Sequence, residues 1–151
     1  MILFKHGTKL WTQTDLKKTK EKEHYLKEIY KLVESDEKVS VSQLSLKLGV
    51  SKSSVSNMLK KLVSMGLVST GPYKPILLTK KGNNLSKKIV AKHRLIESFL
   101  VDVMGFRSNE VHEIAEEIEH INSPEFFRKV KLMVNAKTID PHGSSIPDVD
   151  F

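Results

Sequence analysis

Apolar residues recur at three- and four-residue spacing from about Asp15, where Leu26, Ile29, Tyr30 and Val33 fall on one stripe, and the pattern stops near Ser35-Asp36. That periodicity predicts an amphipathic helix. The next segment, VSVSQLSLKLGV, sets Leu44 and Leu48 four apart and ends on Gly49, a second, shorter helix closed by glycine. Ser51 then stands as an N-cap before VSNMLKKLVSMG, whose positions Val55, Met58, Leu59 and Leu62 make one apolar face and whose end is marked by Gly66. The other face of this third helix carries Ser53, Ser56, Asn57, Lys60 and Lys61. Two successive helices split by a glycine-containing turn, the second polar and basic outside, predict a helix-turn-helix.

The pattern changes after Gly66. LVSTGPYKPILLT has apolar and β-branched flanks around Gly71, Pro72 and Pro75, which predicts a hairpin placed as a wing. Helical spacing returns from about Lys80 to Met104, with Leu85, Ile89, Ile96, Leu100 and Val103 apolar, and Gly105 stops it. A further helix is expected from Ser108, and Ser123-Pro124 is a strong start for a last one, serine as cap and proline in the first turn. Residues 1–14 read as a loose arm and the tail from Asp140 as turn-rich and irregular. The expected fold class is mainly α: an arm and winged helix-turn-helix over 1–79, then a helical domain over 80–151.

Charge divides the chain along the same line. Residues 1–92 hold 19 lysines and arginines against 7 acids, a balance of +12, and residues 93–151 hold 6 against 11, a balance of −5. A basic half suits a polyanion. On a recognition helix, Lys52, Lys60 and Lys61 would pair with phosphates, while Ser53, Ser56 and Asn57 would meet base edges, Asn57 with the geometry to bond adenine twice. In the wing, Lys74 would touch backbone phosphate with Tyr73 alongside. A lone Lys-Lys pair is usually just a solvated face; its place on the second helix of a helix-turn-helix, ahead of a wing, favours double-stranded DNA.

The acidic half contains EVHEIAEEIEH, residues 110–120. On a helix Val111, Ile114, Ala115, Ile118 and Ile121 would face the core, and His112, Glu116, Glu119 and His120 would form a strip beside it. His93 and Glu97, four apart on the preceding long helix, offer a second pair on a stripe that should be buried. Glutamate-rich helices are usually solvated and a histidine on an apolar stripe is usually a core residue. Here, though, residues 108–121 contain no lysine or arginine to alternate with the acids. Carboxylates and imidazoles gathered on neighbouring helices favour a divalent first-row metal. With no cysteine, thiolate-held zinc, iron–sulfur clusters and cysteine nucleophiles are excluded. An enzyme is not expected: the zincin spacing fails because Glu116 follows His112-Glu113, and a di-metal carboxylate bundle built on Glu21/His24 and Glu117/His120 would be interrupted by the winged helix. A winged-helix regulator sensing an organic ligand is the nearer alternative. No window approaches a membrane span and the N-terminus has no signal-like apolar run, so a cytoplasmic protein is expected.

The blocks HYLKEIYKL, LGVSKSSVSNMLKKLVSMGLV, LLTKKG, HRLIESFLVDVMG, EVHEIAEEIEH and DPHGSSIPD, in this order over residues 22–148, resemble the diphtheria toxin repressor family, metal-dependent transcriptional regulators that include the manganese transport regulators. The resemblance implies a homodimer, a palindromic DNA operator and a divalent metal corepressor acting on metal-uptake genes. It implies one metal position at Glu116, Glu119 and His120, completed from the first helix by His24, and another at His93, Glu97 and His112. In manganese-type members His93 and its neighbours instead join a two-metal cluster. Three positions depart from the family pattern. His24 stands where relatives have Asp or Met, Lys27 where manganese-type members have a bridging carboxylate, and Glu116 where iron-type members often have Cys. The glutamate favours Mn²⁺ and the added imidazole favours Fe²⁺ or Zn²⁺; on balance Mn²⁺ is expected. The chain ends soon after PHGSSIPD, so the SH3-like third domain of some members is not expected, and His142 reads as a turn residue.

Overall fold

Helix α1 spans Gln13–Glu34 and buries Tyr25, Leu26, Ile29 and Leu32. The stripe is centred on Tyr25, Ile29 and Leu32, so Val33 falls at its edge and is 47% exposed rather than buried as expected. The structure, a computed structural model, describes residues 3–6 and 9–151. Where a loose arm was expected, β1 (Leu3–His6) pairs antiparallel with β2 (Lys9–Thr12). Residues 1–2 and 7–8 of that arm lie outside the described residues.

The chain divides into two compact units, Met1–Asn83 and Asn84–Phe151. In the first, α2 (Val41–Leu48) starts at Ser40, whose hydroxyl accepts the Gln43 N–H at 3.2 Å, and ends at Gly49, where φ is 64°. Only glycine takes that left-handed turn without strain. Helix α3 (Lys52–Ser64) starts at Ser51, which accepts the Ser54 N–H at 3.1 Å, and buries Val55, Met58, Leu59 and Leu62 as the periodicity predicts. The wing follows: β3 (Val68–Gly71) pairs with β4 (Lys74–Leu78) in the register Val68↔Leu78, Ser69↔Leu77 and Gly71↔Lys74. Pro72 and Tyr73 form the tip.

Helix α4 runs from Lys80 to Asp102. Its first turn is stitched to the backbone ahead of the wing. Thr79 donates its hydroxyl to the Gly66 carbonyl at 2.7 Å and accepts the Gly82 N–H at 3.0 Å, and Lys81 reaches the Met65 carbonyl at 3.2 Å. In the second unit, Leu95, Ile96 and Leu100 of α4 form a core with Val111 and Ala115, with Phe127, Val130 and Val134, and with Ile146. Leu85 and Val103 of the predicted stripe are 37% and 44% exposed, both near the ends of α4. The helix expected from Ser108 is shorter than its pattern: a 3₁₀ turn over Ser108–Glu110, then α5 (His112–Ile118). Glu119 and His120 lie just past its end, and Ile121 is 42% exposed instead of facing the core. Helix α6 (Pro124–Met133) begins as expected, with Ser123 accepting the Phe126 N–H at 3.3 Å and Pro124 in the first turn. The tail is turn-rich yet anchored, because Ile139 and Ser145 form a β-bridge and Ile146 enters the core. Among the described residues no helix is long and apolar enough to cross a membrane.

Candidate metal centre and nucleic-acid interface

One turn of α4 separates His93 from Glu97, so both project from the same face, and both are buried, at 2% and 3% exposed. Helix α5 brings His112 and Glu116 to them, one turn apart in the same way, and Glu119 follows from just beyond its end. His93 is the hub. Its Nδ1 lies 2.5 Å from Glu119 Oε2 and 3.8 Å from Glu116 Oε1; its Nε2 lies 3.1 Å from Glu97 Oε1 and 3.2 Å from His112 Nδ1. His112 Nδ1 is also 3.3 Å from Glu97 Oε1, and its Nε2 is 3.5 Å from Glu116 Oε1. His120 sits at the margin, 3.6 Å from the second oxygen of Glu119. His24 is exposed on α1 in the first unit, and Lys27 on the same helix is fully buried.

Two further groups come from the tail. His142 directs Nδ1 to Glu97 Oε2 at 3.3 Å while its Nε2 lies 2.9 Å from the Ser108 carbonyl. Asp140, 6% exposed, brings its carboxylate beside Glu97 and His142. His142 occupies a turn, as expected, but its ring joins the cluster. The sequence placed neither residue there; the signal it held was an Asp and a His two apart in a segment otherwise read as irregular. The ligand atoms gather as His93, His112 and Glu116, and as Glu97, Asp140 and His142, all within 4.8 Å of one another in each group. This grouping differs from the one the resemblance implies.

The donor chemistry fits a divalent cation. A neutral imidazole has one N–H, yet His93 faces a carboxylate oxygen from each nitrogen. His142 must donate Nε2–H to a carbonyl, which leaves the Nδ1 lone pair facing Glu97. Extra protons or a metal ion relieve these acceptor–acceptor contacts, and a set of imidazoles and carboxylates suits Mn²⁺, Fe²⁺ or Zn²⁺. Burial alone would raise the Glu97 pKa, but the His93 hydrogen bond and charge, then the His142 charge and the His112 hydrogen bond, outweigh it and bring it down to about 2. A depressed carboxyl contributes stability that is present above its unfolded value and lost as pH falls through the folded one. In acid titrations of the metal-free protein, this contribution is expected to persist above about pH 4.5 and to fade toward pH 2. Glu97→Gln should flatten that part of the curve, and a curve that keeps its slope would contradict the assignment.

In the first unit, Lys52, Ser53, Asn57, Lys60 and Lys61 are exposed on α3, and Ser56 is half-buried. Ser56, Lys60, Tyr73 and Lys74, with Lys38, line one cleft of about 780 Å³ between α3 and the wing. At the tip of the wing the Tyr73 side chain is fully exposed and its φ is 59°.

Comparison with known proteins matches both units. Residues 17–76 match the N-terminal DNA binding domain of the iron dependent repressors, and residues 79–148 match their metal binding and dimerisation domain. The chain belongs to the diphtheria toxin repressor family. Within the family it is 36% identical over 113 residues to an HTH-type transcriptional regulator of Methanocaldococcus jannaschii, covering 74% of this chain and 90% of that one. It is 34% identical over 125 residues to the iron-dependent repressor IdeR of Mycobacterium tuberculosis, covering 83% of this chain and 54% of IdeR. The structure of the manganese regulator SloR superposes with a TM-score of 0.76 at 42% identity, over 86% of this chain and 60% of SloR. The chain therefore spans little more than half the length of IdeR and three-fifths of SloR.

Proposed function

We propose that this family member is a homodimeric, metal-activated transcriptional repressor, with residues 1–79 binding a palindromic operator and residues 80–151 holding metal and dimerising. The observation that carries the reading is the buried meeting of His93 with Glu97 and Glu119, a carboxylate oxygen at each ring nitrogen. Mn²⁺ is the favoured corepressor because Glu97, Glu116, Glu119 and Asp140 make the donor set rich in oxygen, with Fe²⁺ and Zn²⁺ as alternatives served by the imidazoles. The relative SloR is a manganese regulator and the relative IdeR an iron-dependent repressor, so both metals have precedent in similar chains. Metal bound at Glu116, Glu119 and His120 would favour the spacing of recognition helices that matches successive major grooves, ~34 Å apart.

The test is selection of sequences from a randomised duplex pool by chelator-stripped protein, alone and with Mn²⁺, Fe²⁺ or Zn²⁺. A palindrome selected only with metal supports the reading and ranks the metals. Equal selection without metal would move it to an organic-ligand regulator. On the DNA face, Lys60→Ala is expected to weaken binding to all sequences and to lower the salt slope by about 1. Asn57→Ala should instead cost about 1–3 kcal/mol of discrimination at one base pair. Salt titrations on specific and scrambled duplexes distinguish the two.

A further inference from the structure

Arg94 follows the hub histidine on α4, and its guanidinium is buried, at 4% exposed. It holds the tail loop at both ends. Its Nε lies 3.6 Å from Asp140 Oδ2, and its Nη1 donates to the Ser145 carbonyl. The other oxygen of Asp140, Oδ1, accepts the His142 N–H at 2.8 Å and the Ser144 N–H at 2.9 Å, which closes the turn between them. That closed turn aims His142 at Glu97. Beyond it, Ser145 bridges to Ile139, and Ile146 donates its N–H to the Thr138 carbonyl at 2.7 Å as its side chain enters the core. An always-charged planar fork suits this work, since it can bind a carboxylate and a carbonyl at once where an ammonium is a single point of charge.

We propose that Arg94 is a positioning residue for a cation held by Glu97, Asp140 and His142, and that it links filling of that position to the order of the tail through Ser145. The inference rests on the metal reading given above. Arg94 fixes Asp140 before the cation arrives, so less ordering is left for binding to accomplish, and supporting residues of this kind typically change metal affinity 10- to 100-fold. The same residue carries the effect outward, because the loop it clamps at Asp140 is the loop it clamps at Ser145.

The experiment titrates Mn²⁺, and separately Zn²⁺, into the full chain while recording binding and amide exchange residue by residue. In the parent, filling the position should slow exchange at Ser144 and Ile146. Arg94→Gln is expected to weaken one metal equivalent about 10- to 100-fold, leave the other unchanged, and abolish the protection of Ile146. Arg94→Lys, the milder change if the first variant folds poorly, should keep the Ser144 protection and still lose that of Ile146. Unchanged affinity with Ile146 protected in both variants would overturn the inference. His142→Ala separates the two levels: if it changes neither stoichiometry nor loop exchange while the other equivalent still binds, no cation sits there and the inference falls alone. If the parent binds no metal at all, the metal reading falls with it.

Discussion

Glu119→Ala is expected to remove the response to metal. In the proposed mechanism a bound divalent ion raises operator affinity by an amount on the scale of allosteric couplings, about 5- to 150-fold, and the variant should bind operator equally with Mn²⁺ and with chelator. The reason lies in its position. The Glu119 side chain is fully buried, it approaches His93 Nδ1 at 2.5 Å and its other oxygen faces His120 at 3.6 Å. Removing it deletes a ligand and also takes the 2.5 Å contact away from the buried His93 Nδ1, at a cost of about 1–3 kcal/mol. Glu119→Gln separates these effects, since it fills the same space and keeps a hydrogen bond but gives up the charge a cation needs. Fluorescence anisotropy on a labelled duplex, with and without Mn²⁺, makes the measurement, and thermal melts confirm that each variant is folded. A Glu119→Ala protein that still tightens on DNA when metal is added would end this assignment.

How far the sequence could be read follows the range of the interactions involved. The helix-turn-helix was legible because its signals are local: Ser51 caps within three residues, and Gly49 closes a turn next to the helix it ends. The pairs His93/Glu97 and His112/Glu116 were legible for the same reason, since a four-residue spacing fixes a shared helix face. Their meeting was inferred from neighbouring helices, and the structure brings them together. Asp140 and His142 were not legible. They reach the cluster from a loop more than forty residues after Glu97, and a loop has no period from which a direction can be read. The premature end of α5 was also hidden: the apolar spacing continues to Ile121, while the helix ends at Ile118 and leaves Glu119 and His120 in a turn. A short paired strand such as β1, four residues long, is too brief for its alternation to be distinguished from an arm.

Gly82→Ala should show the opposite sign to the usual helical substitution. An alanine inside a helix ordinarily gains about 0.5–1 kcal/mol over glycine. Here a Cβ at Gly82 would lie 1.9 Å from the Leu67 carbonyl oxygen and 2.8 Å from its carbon. That carbonyl is not free to retreat, because it accepts the Thr79 N–H at 3.1 Å and belongs to a residue 2% exposed at the base of the wing. The helix cannot easily retreat either, since Thr79 and Lys81 tie its first turn to the Gly66 and Met65 carbonyls. Something must move by about 1 Å, and overpacking of this kind costs about 1–3 kcal/mol, enough to exceed the propensity gain. At roughly 4–8 °C for each kcal/mol in a unit of this size, a lower melting temperature is the expected result, with weakened DNA binding as the wing shifts. His93, Glu97 and His112 belong to the other unit, so their metal equivalent should titrate as before. A higher melting temperature would mean that α4 and the wing can part without loss, and that the close approach at Leu67 does not hold the wing in place.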